Sequence, residues 1–263
     1  MPRMNHIHRT RAFFSSVVQP IIQYSTRHRV DIILDYVPGK SVLDLGCVEH
    51  EAIASEKKEW WLHGLIRQKA KSLCGVDYDD NAINELKQQG WNVCAGNVED
   101  LFLNEKYDVV IAGELFEHLT NHRSFLESVK RHLLPDGIFV ASMPNANSFN
   151  YFFQSLVFGY EVDAWDHTSF FTPVTIAVML EKCGMVPVSI VMYQPDEIYD
   201  HDNRWHRLLS RFSNRIQQLL CKFRPTMSRG LIVVAMCKSA CAIKASGHGP
   251  VSTEQVCSSD KEI

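Results

Sequence analysis

The sequence lacks any apolar run of the roughly 18 residues that a bilayer-spanning helix needs, which argues against a membrane-spanning protein. None of its eight cysteines forms a CxxC pair, and its 12 histidines follow no metal-finger spacing. A disulfide framework is therefore not expected, and reduced thiols are typical of a cytoplasm. The N-terminal residues lack the charged-then-apolar pattern of a signal peptide. We expect a soluble, cytoplasmic protein.

The sequence also lacks a large excess of either positive or negative charge. The 263 residues carry a formal net charge of −3, which gives no general attraction to nucleic acid. The hydrophobic share of 46% and the charged share of 22% are ordinary, so a globular α/β domain with some appendages is expected.

Strand-like and helix-like segments alternate through the middle of the chain. Short apolar strands are predicted over five ranges (41–46, 72–77, 91–95, 107–112 and 137–142), with helices near 51–71, 79–89 and 121–134. This alternation predicts an α/β fold with a doubly wound parallel sheet and helices on both faces. Two later strands, at 185–192 and 231–236, extend the sheet.

Four segments flank or interrupt this domain, which we place at 39–238. Residues 1–38 are predicted as an N-terminal helical segment that Pro38 and Gly39 end. Aromatic residues crowd 145–172, which we interpret as a lid, and 198–226 holds an amphipathic helical insertion. Residues 239–263 are small and polar, and they are predicted to be a disordered tail.

Acidic residues stand at the ends of two predicted strands. Asp44 precedes Gly46 at the end of the first strand, and Asp77 ends the second. Parallel sheets bind ligands at the carboxyl ends of their strands. A dinucleotide fold needs a G-x-G-x-x-G turn here, whereas this chain has one glycine followed by Cys47 and, two residues later, the acidic Glu49. A phosphate-free nucleoside, S-adenosylmethionine, fits better, with Asp77 accepting bonds from both ribose hydroxyls.

Asn97 follows the third strand and completes this set. Its side chain can bond the adenine amino group while Val98 offers a backbone N–H, and Asp44 can face the ligand's amino group through water. Each residue has a plainer alternative, since acids at strand ends act as caps and an asparagine often holds a turn. Their order at successive strand ends favours a nucleoside ligand.

Six motifs resemble class I S-adenosylmethionine-dependent methyltransferases, in particular the ubiquinone-pathway O-methyltransferase-like branch. They are Val42–Cys47, Gly75–Asp77, Gly96–Asp100, Tyr107–Val110, Glu114–Leu119 and Leu133–Gly137. The resemblance implies a Rossmann-like seven-stranded sheet with an antiparallel last strand. It also implies that S-adenosyl-L-methionine is bound at the strand ends, by Asp44, Leu45, Gly46, Cys47, Asp77, Tyr78, Asn97, Val98 and Glu114.

The turn after the first strand departs from the family's glycine-rich pattern, because Val48 and His50 stand where glycines are typical. A branched side chain restricts the backbone, so this turn is expected to take another path. His50 or His63 would then contact the ligand's carboxylate. The alternative is that both histidines only pack or cap.

Three residues with acid–base or metal-binding side chains, Glu114, Glu117 and His118, follow the fourth strand, where the transferable methyl group would point. An imidazole such as His118 suits a general base. The pattern also resembles metal clusters of ubiquinone-pathway O-methyltransferases and small-RNA 2′-O-methyltransferases, which implies a divalent metal on Glu114, Glu117, His118 and His167. One alternative is a site without metal, in which His118 or His167 acts as the base and Glu114 lies beside the acceptor. The other is that Glu117 and His118 only begin and cap a helix.

An amphipathic helix is predicted over 203–224, where apolar residues recur at helical spacing and the basic residues have no acid among them. Such a helix would pack its apolar stripe on the domain or on a second copy in a homodimer. The alternative is contact with an anionic membrane surface, which would favour a lipid-linked acceptor.

The sequence thus predicts an S-adenosylmethionine-dependent methyltransferase that acts at oxygen on a small molecule or on a glycan or lipid-linked intermediate. Three alternatives stay open. The missing loop glycines motivate a methyltransferase-like binding protein without activity. An RNA 2′-O-methyltransferase ranks lower because of the net charge, and the single glycine disfavours a nicotinamide-dependent reductase.

Overall fold

The computed structural model describes residues 6–48, 61–159, 165–194 and 204–238. The predictions for His50, for the tail at 239–263 and for parts of the lid and the insertion lie outside the described residues.

The described residues form a sheet of eight strands in the order β1-β7-β8-β6-β5-β2-β3-β4. Neighbouring strands are parallel, except that β8 runs antiparallel to both β6 and β7. The predicted doubly wound α/β fold with an antiparallel last strand is therefore confirmed. The strands are β1 (Ile22–Ser25), β2 (Ser41–Leu45), β3 (Ser72–Asp77), β4 (Val93–Ala95), β5 (Tyr107–Gly113), β6 (Leu133–Pro144), β7 (Met185–Tyr193) and β8 (Gly230–Cys237).

Side chains of successive strand residues point to opposite sides of the sheet. Both faces of the sheet are therefore apolar, and helices cover both. Val42 and Val109 pack in one buried cluster with Ile33 and Ile66, whereas Leu43 belongs to a second cluster. No helix within the described ranges is long and apolar enough to cross a membrane. The helices are α1 (His6–Phe13), α2 (Arg29–Leu34), α3 (Leu62–Arg67), α4 (Asp80–Gln88), α5 (His122–His132), α6 (Phe149–Phe158), α7 (Pro173–Lys182) and α8 (Arg204–Phe223).

The N-terminal segment contains a strand that the sequence analysis did not predict. Only helix was expected before Pro38, but β1 pairs in parallel with β7, with Ile22 opposite Ile190. This edge strand gives eight strands where seven were predicted. The physical reason is Pro20, which lacks a backbone N–H and cannot continue the helical turns before it. The chain therefore leaves the helical conformation at Ile22 and extends along the sheet edge.

The predicted lid contains a helix, α6, that packs on α8. The rings of Phe153 and Phe212 lie 6.4 Å apart between centroids. The expectation that α8 packs its apolar stripe on the domain is wrong for five of the eight residues, which are exposed, Phe212 and Leu219 among them, while Ser213 and Gln217 are buried. The reason is that the inner face of α8 forms hydrogen bonds with the segment at 148–150.

Candidate active site

Four strand ends meet at one edge of the sheet. Strand β2 pairs with β3 on one side and with β5 on the other, and Asp44 lies opposite Gly75 and Ile111. Asp77 therefore lies two residues beyond the level of Asp44 on the adjacent strand. Both acids stand at the carboxyl edge, where parallel sheets bind ligands.

The turn after β2 depends on Gly46, which has a φ of 74°. Only glycine adopts this left-handed conformation without strain, and a Cβ here would stand 3.1 Å from Cδ1 of Leu115. The backbone N–H groups of Gly46 and Cys47 both donate to the carbonyl oxygen of Val76, at 2.8 and 3.2 Å. The single glycine of this motif is thus the one that the turn requires.

Asp77 anchors the same turn. Its Oδ2 accepts a hydrogen bond from the backbone N–H of Val48 at 3.0 Å, and its Oδ1 accepts one from Asp79 at 3.2 Å. Burial raises the pKa of the Asp77 carboxyl, and these N–H groups act in the opposite direction. Each carboxylate oxygen still has a second lone pair, so the group can accept further bonds from a hydroxyl.

Asp44 is held by a histidine rather than by solvent. Nδ1 of His63 lies 2.8 Å from Oδ2 of Asp44, and both side chains are buried. The carbonyl of Cys47 accepts a bond from Nε1 of Trp61 at 3.0 Å, and the Trp61 ring packs on Trp91. The path of the glycine-poor turn is therefore supported by a buried aromatic cluster that includes His63, and contact of His63 with the ligand's carboxylate stays a prediction.

The segment after β4 places Asn97 and Val98 beside the same edge. Asn97 is exposed, and its Oδ1 accepts a bond from the backbone N–H of Glu99 at 2.9 Å, which caps a short 3₁₀ turn. Val98 is buried and Tyr78 is 84% exposed. The adenine-binding roles of Asn97 and Val98 and the cofactor-binding role of Tyr78 stay predictions.

Glu114 follows β5 in a strained conformation, with a φ of 51°. Its backbone N–H donates to the carbonyl and to Oγ of Ser142, both at 3.1 Å, and its Oε1 accepts a bond from the Tyr193 hydroxyl at 3.2 Å. Burial raises the pKa of Tyr193 well above its ordinary value, so this phenol stays a donor. Tyr193 was not predicted as a site residue, although it directly follows a predicted strand.

Three potential metal-ligating or proton-accepting side chains converge beside this point. Glu117, His118 and His167 each present a ligand atom, and these atoms lie within 4.8 Å of one another. The rings of the two histidines are 4.7 Å apart between centroids, and Nδ1 of His118 lies 3.1 Å from Oδ2 of Asp166. Glu114 was predicted in this cluster, but its carboxylate bonds Tyr193 instead.

A backbone strap brings His167 to this cluster. The carbonyl of Glu117 accepts hydrogen bonds from the backbone N–H groups of Thr168 and Ser169, at 2.9 and 3.2 Å. Oγ1 of Thr168 also donates to the carbonyl of Leu119 at 2.6 Å. These bonds fix the end of the predicted lid to the turn after β5 and hold His167 beside Glu117 and His118.

Glu99 joins the short 3₁₀ turn at Val98–Asp100 to the loop after His118, a role that was not predicted from the sequence. Its Oε1 accepts bonds from the backbone N–H groups of Thr120 and Asn121, at 2.7 and 2.8 Å. The bond from Asn121 is the main cause that lowers the pKa of Glu99.

A cavity of about 560 Å³ lies between α1 and the start of α7. None of its lining residues is a predicted cofactor or catalytic residue. They are Ile7, Thr10, Arg11, Phe14, Asn147, Pro173, Val174 and Thr226.

The chain matches a family model described as a methyltransferase domain, over residues 22–190. It is 32% identical over 119 residues to the ubiquinone biosynthesis O-methyltransferase of Haemophilus ducreyi, which covers 41% of this chain and 46% of that protein. It is 30% identical over 107 residues to the (S)-coclaurine N-methyltransferase of Papaver somniferum, covering 38% of this chain and 28% of that protein. The chain spans less than half the length of these relatives.

A crystal structure of a SAM-dependent methyltransferase from Archaeoglobus fulgidus has a similar fold. It superposes with a TM-score of 0.51 at 17% identity, over 88% of this chain and 99% of that one. At this identity, the likeness concerns the fold alone.

Proposed function

Since the chain belongs to the family of proteins with this methyltransferase domain, we propose that it transfers the methyl group of S-adenosylmethionine to an acceptor hydroxyl. The acceptor is a small molecule or a glycan or lipid-linked intermediate. Oxygen is favoured over nitrogen because a hydroxyl must lose a proton on transfer, and the Glu117, His118 and His167 cluster supplies groups for that step. This cluster is the observation that carries the proposal.

The cofactor edge fits a phosphate-free nucleoside. Gly46 keeps the turn after β2 free of a side chain, and the buried carboxylate of Asp77 has lone pairs for two ribose hydroxyls. Asp44 and Glu114 would face the charged amino-acid portion, while Leu45, Cys47, Tyr78, Asn97 and Val98 would line the remainder. When bound, S-adenosylmethionine supplies a methyl group that an acceptor oxygen can attack.

His118 and His167 would orient the acceptor and take its proton. Asp166, 3.1 Å from Nδ1 of His118, holds that ring in a fixed orientation, so its Nε2 is the atom left to accept a proton. The strap from Thr168 fixes the position of His167 against the same turn. Positioning of this kind is the main contribution that an enzyme makes to an in-line displacement.

The same three side chains offer a second route, which is a divalent metal. One carboxylate and two imidazoles suit a borderline divalent cation, and a metal would lower the pKa of a bound hydroxyl. Glu117, His118 and His167 would hold it, without Glu114.

The test begins with binding. Isothermal titration with S-adenosylmethionine should give saturable heat, and its absence at millimolar ligand would remove the proposal. Turnover is then measured as transfer of a labelled methyl group to a panel of phenols, sugar alcohols, amines and RNA oligonucleotides. Transfer to amines alone would replace oxygen by nitrogen, and transfer to RNA would replace the acceptor class. Binding without transfer to any acceptor would favour an inactive binding protein.

The response to a chelator and the metal content of two variants separate the base from the metal. His167→Gln and Glu117→Gln should each abolish most transfer while leaving the heat of cofactor binding unchanged. If a metal is involved, a chelator removes activity, a divalent cation restores it, and both variants lose bound metal measured by mass spectrometry. If His118 or His167 is the base, the chelator has no effect.

A further inference from the structure

Helices α6 and α8 expose a row of large apolar residues, whereas a surface helix usually buries its most apolar face. The buried residues of α8 are polar or small, namely Ser210, Ser213, Gln217 and Cys221. Of its eight large apolar residues, three are half-buried, and five are 55–72% exposed, namely Trp205, Leu208, Phe212, Leu219 and Phe223. We call these five residues the outward apolar row.

The outward apolar row occupies one side of the helix. Its members follow one another at intervals of three, four, seven and four residues, the spacings that share a helical face. Monomeric soluble proteins rarely expose contiguous apolar patches of this kind unless the patch binds something.

Hydrogen bonds on the inner face fix this orientation. Oε1 of Gln217 accepts bonds from Oγ of Ser148 at 2.9 Å and from the backbone N–H of Asn150 at 2.7 Å, and its Nε2 donates to Gln194. Nδ2 of Asn150 donates to Oδ1 of Asn214 at 2.5 Å. Rolling α8 to hide the apolar row would leave these buried polar groups unsatisfied, which is strongly unfavourable.

Helix α6 extends the same apolar surface. Its ring Phe153 contacts Phe212 of the outward apolar row, and Phe149 stacks on Phe153. Phe152 and Leu156, four residues apart, are 65% and 71% exposed. Helix α6 has no charged residue in its sequence.

A basic row runs beside the outward apolar row. Arg211, Arg215 and Lys222 are exposed, and each follows a member of the apolar row by three positions, so the two rows lie side by side. The 20 residues of α8 contain no Asp or Glu. An apolar face flanked by uncompensated basic residues is typical of helices that lie in the surface of an anionic membrane.

We propose that α8, together with α6, docks this protein on an anionic lipid bilayer. The outward apolar row enters the boundary between headgroups and acyl chains, while the basic row contacts the lipid phosphates. A second copy of the chain fits less well, because a two-fold interface brings the same patch together twice. The basic row of each copy would then face helices α6 and α8 of the other copy, which contain no Asp or Glu.

Flotation of the full chain with lipid vesicles tests this proposal. We expect binding to vesicles of phosphatidylcholine mixed with phosphatidylserine, weak binding to phosphatidylcholine alone, and release from the anionic vesicles in high salt. Trp205 should shift its fluorescence to shorter wavelength on binding, and Trp205→Phe should remove most of that shift.

Variants of the two rows define the contributions. The double variant Leu219→Gln with Phe223→Gln should weaken vesicle binding at least about tenfold, because burial of one such side chain is worth roughly that factor. Arg215→Gln and Lys222→Gln should each weaken binding to anionic vesicles about fivefold, the effect of one basic residue near such a surface. Thermal unfolding checks that each variant folds.

Matched controls lie elsewhere on the surface. Phe102→Gln removes an aromatic residue that is 71% exposed, and Arg123→Gln removes an exposed base on α5. Both should bind vesicles like the unmodified chain. Failure of the unmodified chain to bind either vesicle, or equal binding by the Leu219 and Phe223 double variant, overturns the proposal. A lipid-independent dimer that this double variant dissociates would assign the face to self-association instead.

Discussion

The backbone N–H of Val48 donates to Oδ2 of Asp77 at 3.0 Å, so the turn that follows β2 is tied to the acid that ends β3. A backbone N–H serves as donor whatever side chain its residue carries. The turn can therefore hold its position with a valine at residue 48. The same bond couples the shape of the turn to the ionisation of Asp77.

We expect Asp77→Asn to weaken S-adenosylmethionine binding by roughly 1.5–3 kcal/mol, the usual loss for hydrogen bonds to a charged group. Isothermal titration measures the change. Asp80→Asn, in the exposed first turn of α4, is the matched control and should bind normally. Unchanged affinity in Asp77→Asn would contradict the ribose-binding role.

Gly39 and Gly46 have nearly equal φ but different surroundings, so alanine variants at the two positions distinguish backbone strain from steric contact of the new Cβ. Gly46→Ala and Gly39→Ala should each lower the free energy of unfolding by about 1–2 kcal/mol, because both residues have φ above 70°. Only at Gly46 does the new Cβ approach Leu115, since nothing lies within 4 Å at Gly39. Gly46→Ala should therefore cost more in urea unfolding and also weaken cofactor binding. An equal effect of both variants on cofactor binding would remove the turn from the cofactor site.

Backbone strain at Glu114 is measured by comparing two variants that both lose the carboxylate. Glu114→Gly should be more stable than Glu114→Ala by about 1 kcal/mol, because glycine adopts the φ of 51° without a steric penalty. Both variants lose the bond from Tyr193, so the difference in urea unfolding reports the backbone. A more stable alanine variant would show that the conformation is not strained.

The pH dependence of stability should change in Glu99→Gln. The pKa of Glu99 is lowered from its ordinary value of 4.5 by bonds from Asn121 and Thr120. A carboxyl group with a lowered folded-state pKa stabilises the protein above pH 4.5, and this contribution is lost as the pH falls through the folded-state pKa. The difference in unfolding free energy between the unmodified chain and Glu99→Gln should thus shrink as the pH falls below 4.5. Asp100→Asn, an exposed neighbour, should leave the profile unchanged.

The sheet and the adjacency of its strand ends could be predicted because they depend on local signals. Buried apolar strands that end at Leu45, Asp77 and Gly113 have few alternative conformations, and the alternation with helices determines the parallel order. Strand β1 could not be predicted, since its four residues form a strand only through pairing with β7. Strand propensity over so short a segment depends on its neighbours.

The site beyond the strand ends was only partly predictable. His118 and His167 could be named from the sequence, and they do meet. The bond between Tyr193 and Glu114 joins residues far apart in the chain, and no local pattern indicates it. The orientation of α8 was predicted wrongly because its apolar spacing suggests burial, whereas its actual contacts come from Gln217 and other polar residues that pair only in the folded chain.

Because Ile22–Ser25 lies along Ile190–Tyr193 of β7, this part of the outer side of β7 is already paired. A shortened chain that starts at residue 39, the predicted domain boundary, would uncover the N–H and C=O groups over the whole paired length. Bare edges of this kind recruit strands from other molecules and promote aggregation. Recombinant fragments intended for assays should therefore keep the residues before Pro38.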